Sequence, residues 1–153
     1  MHRSIIDADT PAAIQSLLDQ HLRTLERRDL FQYERTLDRQ DPTHTRCMTE
    51  QFRRGAERLT ELQPHRLVRL EETSRDSTLV RAYVQVRDGV VIEYVRRAQI
   101  VNLLTLPPFD IRRVSFVWYL SSPNEQEAGA EWAAAEHLSL SMCAREALLD
   151  ALP

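Results

Sequence analysis

The sequence predicts an α+β fold: three N-terminal helices packed on a curved four-stranded antiparallel sheet, followed by a helical tail. Three observations carry this. Apolar residues recur at helical spacing as far as Leu62. From His65 onward the pattern changes to alternation with a period of two. Asp88-Gly89 then sits between two alternating runs, a short hairpin signal. Helices first and strands afterwards is the order of a sheet with its helices on one face.

The first helix begins at Thr10, a good N-cap, with Pro11 in the first helical position. Ile14, Leu17, Leu18, Leu22 and Leu25 form its apolar stripe, which His21 shares. Asp29 is expected to cap a second short helix from Leu30 to Leu37, with Phe31 and Tyr33 among its apolar residues. Asp41-Pro42-Thr43 is read as a break. A third helix follows from about His44 to Leu62, burying Met48, Phe52, Ala56 and Leu59, and Pro64 ends it. Strands are predicted over residues 65–73, 78–87, 90–105 and 111–121. Arg75-Asp76-Ser77 is a turn, and Pro107-Pro108 forces a loop because neither proline can donate to a ladder. Glu125 to Glu136 and Cys143 to Leu152 read as helical.

The 153 residues fit one domain, with residues 1–9 as an arm and 123–153 as a helical tail or the stub of a following domain. Three scattered glycines exclude the clustered glycines of a dinucleotide or phosphate-binding loop. All 20 basic residues are arginine, so no lysine is present to act as nucleophile or Schiff base. A net charge of −3 argues against nucleic acid as a partner. No apolar run reaches the length of a membrane span, and no secretory signal is read, so a cytoplasmic location is expected. Cys47 and Cys143 lack metal-type spacing and are expected to be reduced; the five histidines show no ligand spacing either, so neither metal nor cofactor is expected.

A long capped helix, then Arg28-Asp29-Leu30-Phe31 opening a short one, a third helix and long curled strands resemble the nuclear-transport-factor-2-like superfamily. Its cone fold is shared by SnoaL-like proteins, ketosteroid isomerases and scytalone dehydratases. The resemblance covers residues 10–122 and rests on element order. It implies a pocket between helices and sheet, and dimers formed through the sheet. Two features depart from it. No short strand is read between the second and third helices, and no strand position matches the base aspartate and pocket tyrosine of ketosteroid isomerases.

Taking Asp88-Gly89 as a two-residue loop places Tyr83 opposite Tyr94 and Arg81 opposite Arg96. Val80, Ala82, Val84 and Val86 then share the helix-facing side with Val91, Glu93, Val95, Arg97 and Gln99, joined by Val114, Phe116, Trp118 and Leu120. Ionised groups among aliphatics call for a cavity or a partner. Glu93 with His21 is a candidate proton-transfer pair and Arg97 a candidate stabiliser of negative charge. Gln99, Phe116, Trp118 and Tyr33 are the candidate pocket residues.

The outer side carries Tyr83, Tyr94 and Tyr119 with Arg81, Arg96 and Arg113, a composition typical of interface cores. Facing arginines need an acid between them, and a second copy of the chain would supply it from Glu71, Glu72 or the acidic tail. The reading preferred from sequence is therefore a non-catalytic, homodimerising domain that binds a small apolar ligand. A small cofactor-independent isomerase, dehydratase or hydrolase is the alternative, and an accessory domain of a larger protein a third.

Overall fold

The structure, a computed structural model, describes residues 5–54, 63–73, 77–106, 109–122 and 140–151. Helices α1 (Thr10–Arg27), α2 (Leu30–Glu34) and α3 (Pro42–Arg54) precede strands β1 (Arg66–Glu72), β2 (Leu79–Val86), β3 (Gly89–Leu106) and β4 (Phe109–Ser121); helix α4 (Met142–Ala151) follows. The strands form one open antiparallel sheet in the order β1-β2-β3-β4. The expected helix over 125–136, the prolines at 107–108, residues 75–76 of the predicted turn and residues 55–62 of the third predicted helix lie outside the described residues. No described helix is long and apolar enough to cross a membrane.

Local chemistry explains the helix ends. Asp7 Oδ1 accepts from the amides of Asp9 and Thr10, covering donors that the first turn of α1 leaves open. At the other end Arg28 takes a left-handed conformation, φ 55°, and the amides of Arg28 and Asp29 return to Leu25 and Thr24 carbonyls. Asp29 then caps α2 by accepting from the Gln32 amide. Asp41-Pro42, expected to be a break, starts a helix instead: Asp41 Oδ1 accepts from the His44 amide and Pro42 takes the first position.

The hairpin between β2 and β3 corrects the expected register. Val86 pairs with Gly89 and Gln85 with Val90, so the loop is Arg87-Asp88. A turn centred on Asp88-Gly89 would need Asp88 at positive φ as well. The chain places only Gly89 there, at φ 141°, and leaves Arg87 and Asp88 in ordinary conformations. Arg81 therefore faces Tyr94, and Tyr83 faces Ile92. Each partner moves by two positions, an even number, so every side chain keeps its face.

Val80, Ala82, Val84 and Val95 are fully buried on the helix-facing side, against Ile14, Leu17, Leu18, Tyr33, Leu37 and Met48. The outer side has a second core of Leu79, Ile92 and Tyr94 under Leu140 and Ala144. β4 accompanies β3 only as far as Tyr94. Beyond it, at Ile92, Leu140 makes a parallel bridge and the Ser141 amide donates to the Ile92 carbonyl at 3.0 Å. Across from β3, the segment after α2 makes a bridge from Leu37 to Leu120.

The two cysteines, expected to be free, are joined: Cys47 of α3 and Cys143 of α4 form a disulfide with Cα atoms 5.6 Å apart. The packing of α4 on α3 brings together residues separated by 96 positions, which no local spacing announces.

Candidate functional site

A cavity of about 290 Å³ lies between helices and sheet. Its apolar wall is Leu18, Leu25, Tyr33, Met48 and Leu120; its polar lining includes His21, His65, Glu93 and Ser141. Parity along β3 sends Glu93 to the side shared with Val95, and α1 brings His21 down on the same stripe as Leu17 and Leu18. Docking of residues 140–141 on the vacated β3 edge brings Ser141, Met142 and Cys143 into the wall, where the disulfide anchors them to α3.

Glu93 is half-buried as a residue, but its Oε2 is sealed from solvent and has no hydrogen-bond partner among the described residues. The Ser141 hydroxyl is likewise sealed, and the Glu93 carboxyl is the polar group beside it among the described residues. Desolvation pushes the Glu93 pKa up to about 7, with the nearby Ser141 hydroxyl opposing the rise. His21 moves the other way. Burial, with smaller contributions from His65 and His44, lowers its pKa to about 3, so it is neutral at neutral pH. Its Nδ1 lies 2.8 Å from Thr36 Oγ1, and its ring centroid is 4.5 Å from that of Tyr33. Desolvation also lowers the pKa of His65.

Of the residues singled out from sequence, the cavity collects Glu93, His21 and Tyr33. Arg97 is not in its lining. Its guanidinium lies 4.3 Å from the Phe116 ring centroid, and with Gln99 it lines a separate open cleft beside Arg35, Arg39 and Arg96. Phe116 is 52% exposed, and Trp118 packs on the margin of the main core. Several polar residues of the cavity carried no signal in the sequence, among them Gln51, His65 and Ser141. His65 follows a proline at a strand start, and Ser141 lies in the tail.

The outer-face residues are largely accounted for within one chain. Arg81 forms an ion pair with Glu71, which also accepts from the Tyr83 hydroxyl at 3.4 Å. Arg69 stacks 3.6 Å over the Tyr83 ring. Arg96 Nε donates to Asp38 Oδ2 at 2.7 Å, and the same oxygen accepts from Ser121 at 2.8 Å. Tyr94 is fully buried beneath the chain's own tail, so it is not on offer to a second copy. Tyr119 lines the arginine cleft. Arg113 is placed on β4, opposite Asn102. The acids that sequence reasoning sought in a second chain are thus supplied by Glu71 and Asp38.

Among the described residues no group of three or more potential ligands is placed to hold a metal ion. No family model, curated protein or solved structure matches the chain.

Proposed function

We propose that this cavity is the active site of a small cofactor-independent enzyme that moves a proton on a small, mostly apolar carbonyl compound, in an isomerisation or dehydration. One observation carries the reading: a carboxyl and a hydroxyl, those of Glu93 and Ser141, lie beside each other at the wall of a cavity, with Glu93 Oε2 shut away from water and given no hydrogen bond by any other described residue. Buried polar atoms are nearly always satisfied, and the exceptions concentrate where a ligand completes them. A filled or purely apolar interior would have favoured binding alone.

The chemistry follows from the lining. A carboxyl that titrates near 7 is present in both forms at neutral pH, as suits a group that takes a proton and returns it. The Glu93 carboxylate removes a proton from the carbon beside the carbonyl, and the C–H electron pair moves onto the carbonyl oxygen. Ser141 and Gln51, both in the cavity lining, supply side-chain donors for the resulting enolate. Return of the proton to a different carbon completes an isomerisation.

The helix-then-sheet order and the Leu37–Leu120 bridge, which stands where the superfamily has its short strand, support the resemblance to the nuclear-transport-factor-2-like cone fold. The disulfide favours an oxidising compartment over the cytoplasm.

The test is deuterium uptake by cyclohexanone in D₂O, followed by NMR. The protein is expected to accelerate exchange beside the carbonyl, with a rate that rises through about pH 7, and Glu93→Gln to abolish it. Exchange by Glu93→Gln as fast as by the unaltered protein would overturn the proposal.

A further inference from the structure

A second property of the cavity rests on the same reading of it as a ligand site, and it comes from the direction of hydrogen bonds. The Thr36 hydroxyl has one proton, and the Tyr33 carbonyl oxygen, which can only accept, lies 2.7 Å from Oγ1, a separation of two oxygens that calls for that proton between them. The same oxygen lies 2.8 Å from His21 Nδ1. With its proton spent, Thr36 Oγ1 can only accept from the ring, so Nδ1 is the nitrogen that bears hydrogen. A neutral imidazole holds one such proton, which leaves Nε2 with an open lone pair.

We infer that His21 presents a bare, accepting Nε2 to the cavity, set by Thr36, and that the site therefore takes a ligand carrying a hydroxyl or N–H donor. Nε2 has no hydrogen bond among the described residues, and His21 lines the cavity. The ring is held in this setting from the side as well. Tyr33 packs against it, and the Tyr33 hydroxyl is itself tied to the Met48 carbonyl at 2.7 Å. Leu18, Leu25, Met48 and Leu120 give the rest of the ligand an apolar surface. Together with Glu93, the donor requirement narrows the substrate to a small carbonyl compound that also bears a hydroxyl or N–H donor. Thr36 is here a positioning residue, acting through His21.

The ring nitrogen and carbon shifts of His21 read the tautomer directly by NMR. The unaltered protein and Thr36→Ser are expected to show Nδ1–H at neutral pH. Thr36→Val removes the acceptor and is expected to move the proton to Nε2. Phenol and anisole, alike in bulk but with and without a donor, give the second readout. Phenol is expected to bind about three- to tenfold more tightly, the span of one ordinary hydrogen bond, and Thr36→Val to erase the difference. Nε2–H in the unaltered protein, or equal binding of phenol and anisole to it, would overturn the inference. Should Thr36→Val not fold, the unaltered protein and Thr36→Ser carry the test. None of these readouts needs turnover, so they are decided apart from proton transfer by Glu93.

Discussion

Replacing Glu93 by glutamine keeps the side chain's shape and removes its ionisation, so it isolates what burying this carboxyl does to folding. In the folded chain burial pushes the Glu93 pKa up to about 7, against 4.5 when solvated. Between those values the folded chain keeps a proton that the unfolded chain has lost, so stability falls as pH rises across that window and levels off above it. At 1.36 kcal/mol per pH unit the full loss is about 3 kcal/mol, of which roughly 2–3 kcal/mol falls between pH 5 and pH 8. Glutamine escapes it. Urea denaturation of both proteins at the two pH values is the assay. Between pH 5 and pH 8 the Glu93→Gln protein should gain about 2–3 kcal/mol relative to the unaltered one, a relative midpoint shift of roughly 1–2 M urea. His21 and His44, buried with pKa values lowered to about 3 and about 4, act in the opposite sense. Their unfolded forms gain protons below about pH 6.5, so they weaken the fold as pH falls; being common to both proteins, they cancel in the difference. A difference that stayed flat from pH 5 to pH 8 would show that Glu93 ionises as if in water, and the argument from its burial would fail.

Three further substitutions probe the frame around the site. Replacing Cys47 and Cys143 together by serine, or reducing them, opens a loop that spans 96 positions and is expected to lower stability by about 4–5 kcal/mol, read from urea denaturation with and without reductant. Asp38→Ala removes the carboxylate that pairs with Arg96 and accepts from Ser121 in a largely buried setting, leaving Arg96 its bond to Thr78; a loss of about 3–5 kcal/mol is expected in the same assay, and a loss under 1 kcal/mol would mean that water replaces the carboxylate. Gly89→Ala has open space around the added methyl, so the expected penalty of about 1–3 kcal/mol comes from holding alanine at φ 141° alone. A neutral outcome would show that the hairpin re-forms around a different loop.

The parts of the fold that could be read from sequence are those decided by near neighbours. The start of helix α2 was legible because Asp29 and Gln32 are three residues apart and capping needs nothing else; its end was not, for the helix stops at Glu34 rather than Leu37. The facing of Val80, Val84 and Val95 was legible because strand parity survives even a wrong loop: moving the turn from Asp88-Gly89 to Arg87-Asp88 exchanges partners without exchanging faces. Asp41-Pro42 misled because the same dipeptide that interrupts one helix can start the next; the distinction lies in whether Asp41 finds the His44 amide.

The site divides along the same line. That Glu93 points inward is a property of β3 alone, and that His21 shares the stripe of Leu17 and Leu18 is a property of α1 alone. What makes Glu93 chemically unusual belongs to neither. Its oxygen is sealed because β4 stops at Tyr94 and a segment nearly fifty residues further along the sequence, Leu140-Ser141, takes the free edge of β3. The outer face did hold a clue, since Leu79, Ile92 and Tyr94 are too apolar together to face water. A cover was called for, and the chain's own tail supplies it at Leu140 and Ala144. The same docked segment that buries Tyr94 brings Ser141 beside Glu93 and Cys143 against Cys47, so the second core, the disulfide and the perturbed carboxyl are consequences of one long-range contact. Loosening that contact should therefore change all three together: reduction of the disulfide is expected to lower the pKa of Glu93 toward 4.5 as water reaches Oε2, and an unchanged titration in the reduced protein would show that the edge pairing at Ile92 holds the wall by itself.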